Sequence, residues 1–154
     1  MKLSVPAAIA LCLFPLPALA GPEQFHAGSV IPGYGKVAMV ADDRLGPDTV
    51  FKVAFDISEA GDEGEVNRAI VSAARFLNMH VEAGVPVENI SLALVIHGSA
   101  IKDLRSEEAN GGPNPNADLV AALLEQGVSI QLCGQSAAWY GVGKGDVLPG
   151  VSIA

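Results

Sequence analysis

A chain of 154 residues, half of them hydrophobic, has the length of one domain. With 9 basic and 17 acidic side chains and a formal charge of -8, it is unsuited to neutralising nucleic-acid phosphates or to binding an anionic membrane surface. Its acidity serves solubility.

The first twenty residues read as a cleavable secretory signal. Lys2 gives the positive start and Leu3 to Leu16 the apolar run. Ala18-Leu19-Ala20 before Gly21 gives the small-x-small cleavage site. The run is shorter than the roughly 20 residues of a membrane span, and Pro6, Pro15 and Pro17 do not suit a buried helix. Cleavage would remove Lys2, leaving 8 basic against 17 acidic residues and a charge of -9. It would also remove Cys12, leaving Cys133 as the lone cysteine of an exported chain. Such a thiol is buried and inert, reactive, or half of an intermolecular bond. The expected destination is the periplasm.

Residues 21–49 are rich in glycine and proline and read as an extended arm over the domain or a neighbouring subunit, with a short strand at Lys36–Val40. The domain proper is expected over residues 50–154. Val50 to Ile57 is a β-rich apolar run. Asp62 and Glu65 have the spacing of a capping box. The stripe Val66, Ile70, Ala73, Leu77 and Val81 then predicts a helix ended by Gly84 and Pro86. Ile90 to Ile96 is almost continuously apolar, as in a strand covered on both faces.

Ala100 to Leu104 predicts a short helix and Ser106 to Asn114 a polar loop. Asn114 with Pro115 predicts the start of another helix, with Leu119, Val120, Leu123 and Leu124 inward and Gly127 as its stop. Val128 to Leu132 is the third strand. Cys133 follows at once, then Gly134 to Tyr140 as a short helix, and Val151 to Ala154 begins a last strand. Strands alternating with helices predict a parallel sheet with helices on both faces. Ending on a core strand suggests either a clipped sequence or a partner over that surface.

Ligands of open parallel sheets bind beyond the carboxyl ends of the strands. Asp56, His97 and Cys133 fall at such ends. Cys133 also precedes a helix, whose N-terminal field favours a thiolate. Gly134 leaves room for a substrate, and its N–H is positioned to meet negative charge. A buried hydrophobe-like role suits Cys133 equally well on position alone. His97 is a proton carrier or a histidine bonded to backbone, and Asp56 a loop cap or a site residue. Cys133 and His97 are two metal ligands at most, too few for a closed zinc site, so no metal and no cofactor is expected. Trp139 and Tyr140 read as core or subunit contacts. There is no Gly-x-Ser-x-Gly elbow and no Cys-x-x-Cys pair.

Four segments in order resemble the DsrE/DsrF-like family, and its exported branch in particular. They are Ala74-Arg75-Phe76-Leu77-Asn78-Met79-His80, Val95-Ile96-His97-Gly98, Asn114-Pro115-Asn116 and Leu132-Cys133-Gly134-Gln135. The resemblance spans roughly residues 50 to 154. It implies an α/β fold, a three-layer sandwich with a mostly parallel sheet flanked by helices, assembled as homotrimers or hexamers. It also implies a persulfide-carrying cysteine at the place of Cys133, exchanging sulfur with a donor or acceptor protein. Cys133 and His97 are then the candidate catalytic residues, and Asp56, Gly98, Gly134 and Gln135 the substrate-binding ones. The relay members are cytoplasmic and carry a C-terminal helix that this chain lacks. The competing readings are a non-catalytic oligomeric module that binds a small ligand, with Cys133 buried, and a redox sensor forming an intermolecular disulfide.

Overall fold

The computed structural model describes residues 21–40 and 44–154. The expected secretory signal lies outside the described residues. Among the described residues four strands form one sheet: β1 (Phe51–Ile57), β2 (Ile90–Ile96), β3 (Ser129–Leu132) and β4 (Ser152–Ile153). They lie side by side in chain order, and every pairing is parallel. The α/β class and the all-parallel sheet with connecting helices are those expected from the sequence; helix cover on both faces, expected with them, is not found among the described residues.

Helix α1 (Arg68–Glu82) links β1 to β2. It starts later than the Asp62–Glu65 spacing predicts. Asn67 is the cap, accepting the Ala69 N–H at 2.8 Å through Oδ1. The Glu65 N–H instead closes a turn on the Asp62 carbonyl at 3.0 Å. The apolar stripe is as predicted, with Ile70, Ala73 and Leu77 fully buried.

Between β2 and β3 the chain forms a 3-10 segment (Gly98–Leu104), a one-turn helix α2 (Glu107–Asn110) and helix α3 (Ala117–Glu125). Helix α2 lies in the stretch expected to be loop, where the Ser106 hydroxyl accepts the Ala109 N–H. Asn114 and Pro115 sit in the turn before α3. The Asn114 carbonyl accepts the Ala117 N–H and its Oδ1 accepts the Asn116 N–H. Helix α4 (Gly134–Tyr140) links β3 to β4.

One hydrophobic cluster unites the inward residues of α1, β2, α3 and β3. Leu94, Ile96, Leu119, Leu123 and Leu132 are entirely buried in it. A Leu94→Ala change removes side-chain volume at its centre, and such changes cost about 2–5 kcal/mol.

Only one parity of each strand enters that cluster. On the other parity Lys52, Ala54, Asp56, Ser91, Ser129 and Ser152 are exposed, and Ala93, Val95 and Gln131 are half-buried. Strand β2 is thus covered on one face, not on both as its apolar run suggests. The cause is topological. Right-handed crossovers between strands laid down in chain order bring successive connections to the same face.

The arm folds back on its own domain. The strand expected at Lys36–Val40 is a single antiparallel bridge between His26 and Val37. Val30 and Ile31 lie against α1, where the fully buried Asn78 holds them.

Candidate functional site

The parallel register aligns Ile57 with Ile96 and Ile96 with Leu132. The residues just beyond, His97 and Cys133, therefore stand side by side at the carboxyl edge of the sheet. The His97 N–H donates to the Ile57 carbonyl and the Cys133 N–H to the Ile96 carbonyl, each at 2.9 Å. Alternation along the strands gives Asp56, His97 and Cys133 the parity of the open face.

Cys133 is half-buried and occupies the N-cap of α4. Its sulfur makes no side-chain capping hydrogen bond. The backbone N–H of Ser136, and then that of Gln135, nevertheless hold the thiol pKa below its ordinary value; desolvation opposes them, and the Ser136 hydroxyl adds to them. These are N–H groups with no partner inside a helix's first turn. Cys133 is thus partly accessible rather than sealed in the core.

The other predicted residues fall around it as follows. His97 does not bond backbone through its ring. Its Nε2 donates to Asp56 Oδ1 at 2.7 Å; in a neutral ring so bonded, Nδ1 is the acceptor. Asp56, read also as a loop cap, is committed to this contact. Gly98 has φ +57, and a Cβ there would lie 2.7 Å from the Ser58 carbonyl oxygen. It is the residue that lets the chain turn out of β2 beside β1. The Gly134 N–H, expected to meet negative charge, instead donates to the Ala154 carbonyl at 2.6 Å. Gln135 contributes its backbone N–H to the thiol. Trp139, read as core or contact, is 84% exposed.

Two features escape the sequence reading. The Ser136 Oγ accepts the Gly98 N–H at 3.2 Å while Ser136 also faces the thiol, so it ties the His97 turn to Cys133. Its signal is spacing: a residue three beyond an N-cap faces the cap side chain. The second is a buried amide and carboxylate cluster behind the site. Asp103 Oδ2 accepts from Asn67 Nδ2 at 2.7 Å and from the Gly61 N–H at 3.0 Å. Asn116 Oδ1 accepts the Asn67 N–H, and Asn114 Nδ2 donates to the Asp103 and Arg105 carbonyls. This cluster fixes the loops that leave β1 and β2. Among the described residues no three His, Cys, Asp or Glu side chains gather as a metal site, and no helix is long and apolar enough to cross a membrane.

Comparison with known proteins gives a family and a fold. The family model described as DsrE/DsrF-like matches residues 52–154, about two thirds of the chain. No curated protein matches it. Among solved structures the chain is similar to a protein of unknown function, MTH1491 from Methanobacterium thermoautotrophicum. The identity is 24% and the TM-score 0.50, over 66% of this chain and 78% of that one. At that identity the likeness is one of fold.

Proposed function

The chain belongs to the DsrE/DsrF-like family, and from that premise we propose that it binds or passes on sulfur through Cys133. The Cys133 thiolate attacks the terminal sulfur of a donor persulfide, R–S–SH. A bond forms between Cys133 Sγ and that sulfur, the donor S–S bond breaks, and the donor leaves as its thiolate. The sulfane sulfur keeps its oxidation state, so no outside oxidant or reductant takes part. Transfer onward is the same step in reverse, with an acceptor thiolate attacking the outer sulfur of the Cys133 persulfide.

The observation that carries the reading is the set of N–H groups of Ser136 and Gln135 that favours the thiolate of a half-buried Cys133. They suit a nucleophile because the thiolate is the attacking form. Asp56 orients His97 so that Nδ1 is free to exchange a proton with the donor or acceptor thiol. The same reading takes residues 1–20 as the export signal, the periplasm as the place of action, a thiol-bearing protein as partner, and a trimer or hexamer as the working form.

The test is sulfane-sulfur loading of the purified mature protein with glutathione persulfide, read by intact mass. Wild type is expected to gain one sulfur atom, and Cys133→Ser none. Equal loading of both ends the proposal.

A second reading, an oligomeric binding module without chemistry, draws support from the uncovered sheet face and from Trp139. It predicts that native Cys133 resists bulky thiol reagents, whereas the sulfur reading predicts rapid and complete reaction.

A further inference from the structure

Away from Cys133, the arm and the end of α1 enclose an apolar groove of about 290 Å³. One wall is Val37 to Val40, the other Met79, His80, Glu82 and Ala83, with Phe51 also lining it. The walls are anchored on either side. The His26–Val37 bridge holds the arm at one end, and the Leu45 N–H donates to the Ala83 carbonyl at 2.9 Å at the other. Met39, Val40 and Met79 are 47%, 61% and 43% exposed, a local concentration of large apolar side chains that a monomer seldom leaves open without use.

The groove has a definite polarity. The His80 ring lies tilted over Phe76 and meets Phe51 edge-on, with centroids 3.9 and 4.3 Å apart. Its Nδ1 donates to the Phe76 carbonyl at 2.8 Å, so in the neutral ring Nε2 carries a lone pair. Nε2 has no hydrogen-bond partner among the described residues and is not sealed from solvent. Among the described lining residues the one charged group is the Glu82 carboxylate, whose Oε2 meets His26 Nε2 at 3.0 Å. No Lys or Arg is among the described lining residues. The polar side chains here are thus acceptors, in a chain that is acidic as a whole.

We propose that this groove binds a small aromatic amine, its ring against Phe51 and the two methionines and its ammonium group toward Glu82 and His80. Three features select that class. The volume lies at the small end of ligand pockets, roughly 300–1,000 Å³, which limits the body to one or two rings. Thioether walls adapt to flat aromatic guests and make favourable sulfur–ring contacts. The carboxylate and the imidazole lone pair complement a positive donor and repel a carboxylate-bearing ligand of the same shape. The site is independent of the sulfur reading, because none of its residues belongs to the Cys133 cluster.

The sequence makes the test direct. Met1, Met39 and Met79 are the only methionines, so methyl-labelled mature protein reports the groove through Met39 and Met79. Titration with phenethylamine is expected to shift both methyl signals saturably, while phenylacetate at the same concentrations leaves them in place. Glu82→Gln, which keeps the shape of a partly exposed side chain, is expected to weaken phenethylamine several-fold with the amide spectrum retained outside the His26 end of the arm. Met79→Lys is expected to abolish binding. No saturable shift, or equal shifts with both probes, overturns the proposal. So does movement of the two signals with protein concentration alone, which would mean that a second copy fills the groove.

Discussion

Asn78 grips Ile31 by both halves of its side-chain amide: Oδ1 accepts the Ile31 N–H at 2.8 Å and Nδ2 donates to the Ile31 carbonyl at 3.1 Å. The same Oδ1 accepts the Val30 N–H, and Nδ2 also reaches the Tyr34 and Gly35 carbonyls at 2.9 and 3.2 Å. One fully buried side chain on α1 therefore satisfies backbone groups that the arm, having no strand partner there, would otherwise bury unpaired.

Replacing Asn78 by Ala removes all of these contacts and leaves buried donors and acceptors open. At roughly 1–3 kcal/mol for each stranded group, partly relieved by water, the expected loss is about 3 kcal/mol in chemical denaturation. The arm should also become the first site of proteolysis. Gly35→Ala should act on the same contact by another route. Gly35 has φ +64 and a Cβ there would fall 2.4 Å from the Arg75 backbone nitrogen. An unchanged digestion pattern in both variants would mean that the arm is not held in this way.

Asp103 gives a second stability prediction. Asp103→Ala strands the Gly61 N–H and the Asn67 amide, both turned toward its carboxylate. The expected cost is about 2–6 kcal/mol, at roughly 1–3 kcal/mol for each of the two stranded donors. Asp103→Asn keeps one acceptor and should cost less. Equal stability of Asp103→Ala and wild type, measured in urea, would show that the cluster does not fix the loops.

The contrast between these two clusters and the strands explains what was legible in the sequence. Strands β1 to β3 and helices α1 and α3 declare themselves by period: Ile70, Ala73 and Leu77 at helical steps, Ile90 to Ile96 as an apolar run. Cys133 declares itself by position, as a thiol after a strand and before a helix. Asn78 and Asp103 have no such signal. A polar residue among apolar neighbours looks like an interruption until the distant chain that supplies its partners, Val30 to Gly35 for Asn78 and Gly61 and Asn67 for Asp103, is in place. The bare face was hidden for a related reason. Ala54, Ala93 and Val95 are apolar enough to suggest cover, and only strand order decides which parity the helices reach. The cap of α1 was misplaced because Asp62 with Glu65 and Asn67 offer competing caps a few residues apart, and local spacing cannot choose between them.

His26 gives a pH prediction. The Gln24 carbonyl, then Glu82, raise its pKa above the ordinary 6.5. A raised histidine stabilises the folded state fully below its unfolded pKa, and that contribution is lost as pH rises through the folded value. The end of the arm at His26 should therefore be more protected from exchange in mildly acidic buffer than above the raised pKa. His26→Gln should flatten that dependence. The effect will be small and salt-sensitive, since the His26–Glu82 pair is partly exposed. A wild-type profile identical to that of His26→Gln would remove the pair from any role in holding the arm.

The thiol itself gives the most discriminating measurement. The two backbone N–H groups lower the Cys133 pKa more than the Ser136 hydroxyl does. Alkylation of the folded protein against pH should then follow a midpoint below the about 8.5 of a free cysteine. Ser136→Ala keeps both N–H groups and loses only the hydroxyl, so its midpoint should rise slightly and stay below that value. It also leaves the Gly98 N–H without its acceptor, which should loosen the turn that carries His97. A wild-type midpoint at or above the free value would mean that the N–H groups do not stabilise the thiolate. A Ser136→Ala midpoint equal to the free value would mean that the hydroxyl, and not the start of α4, sets the reactivity of Cys133.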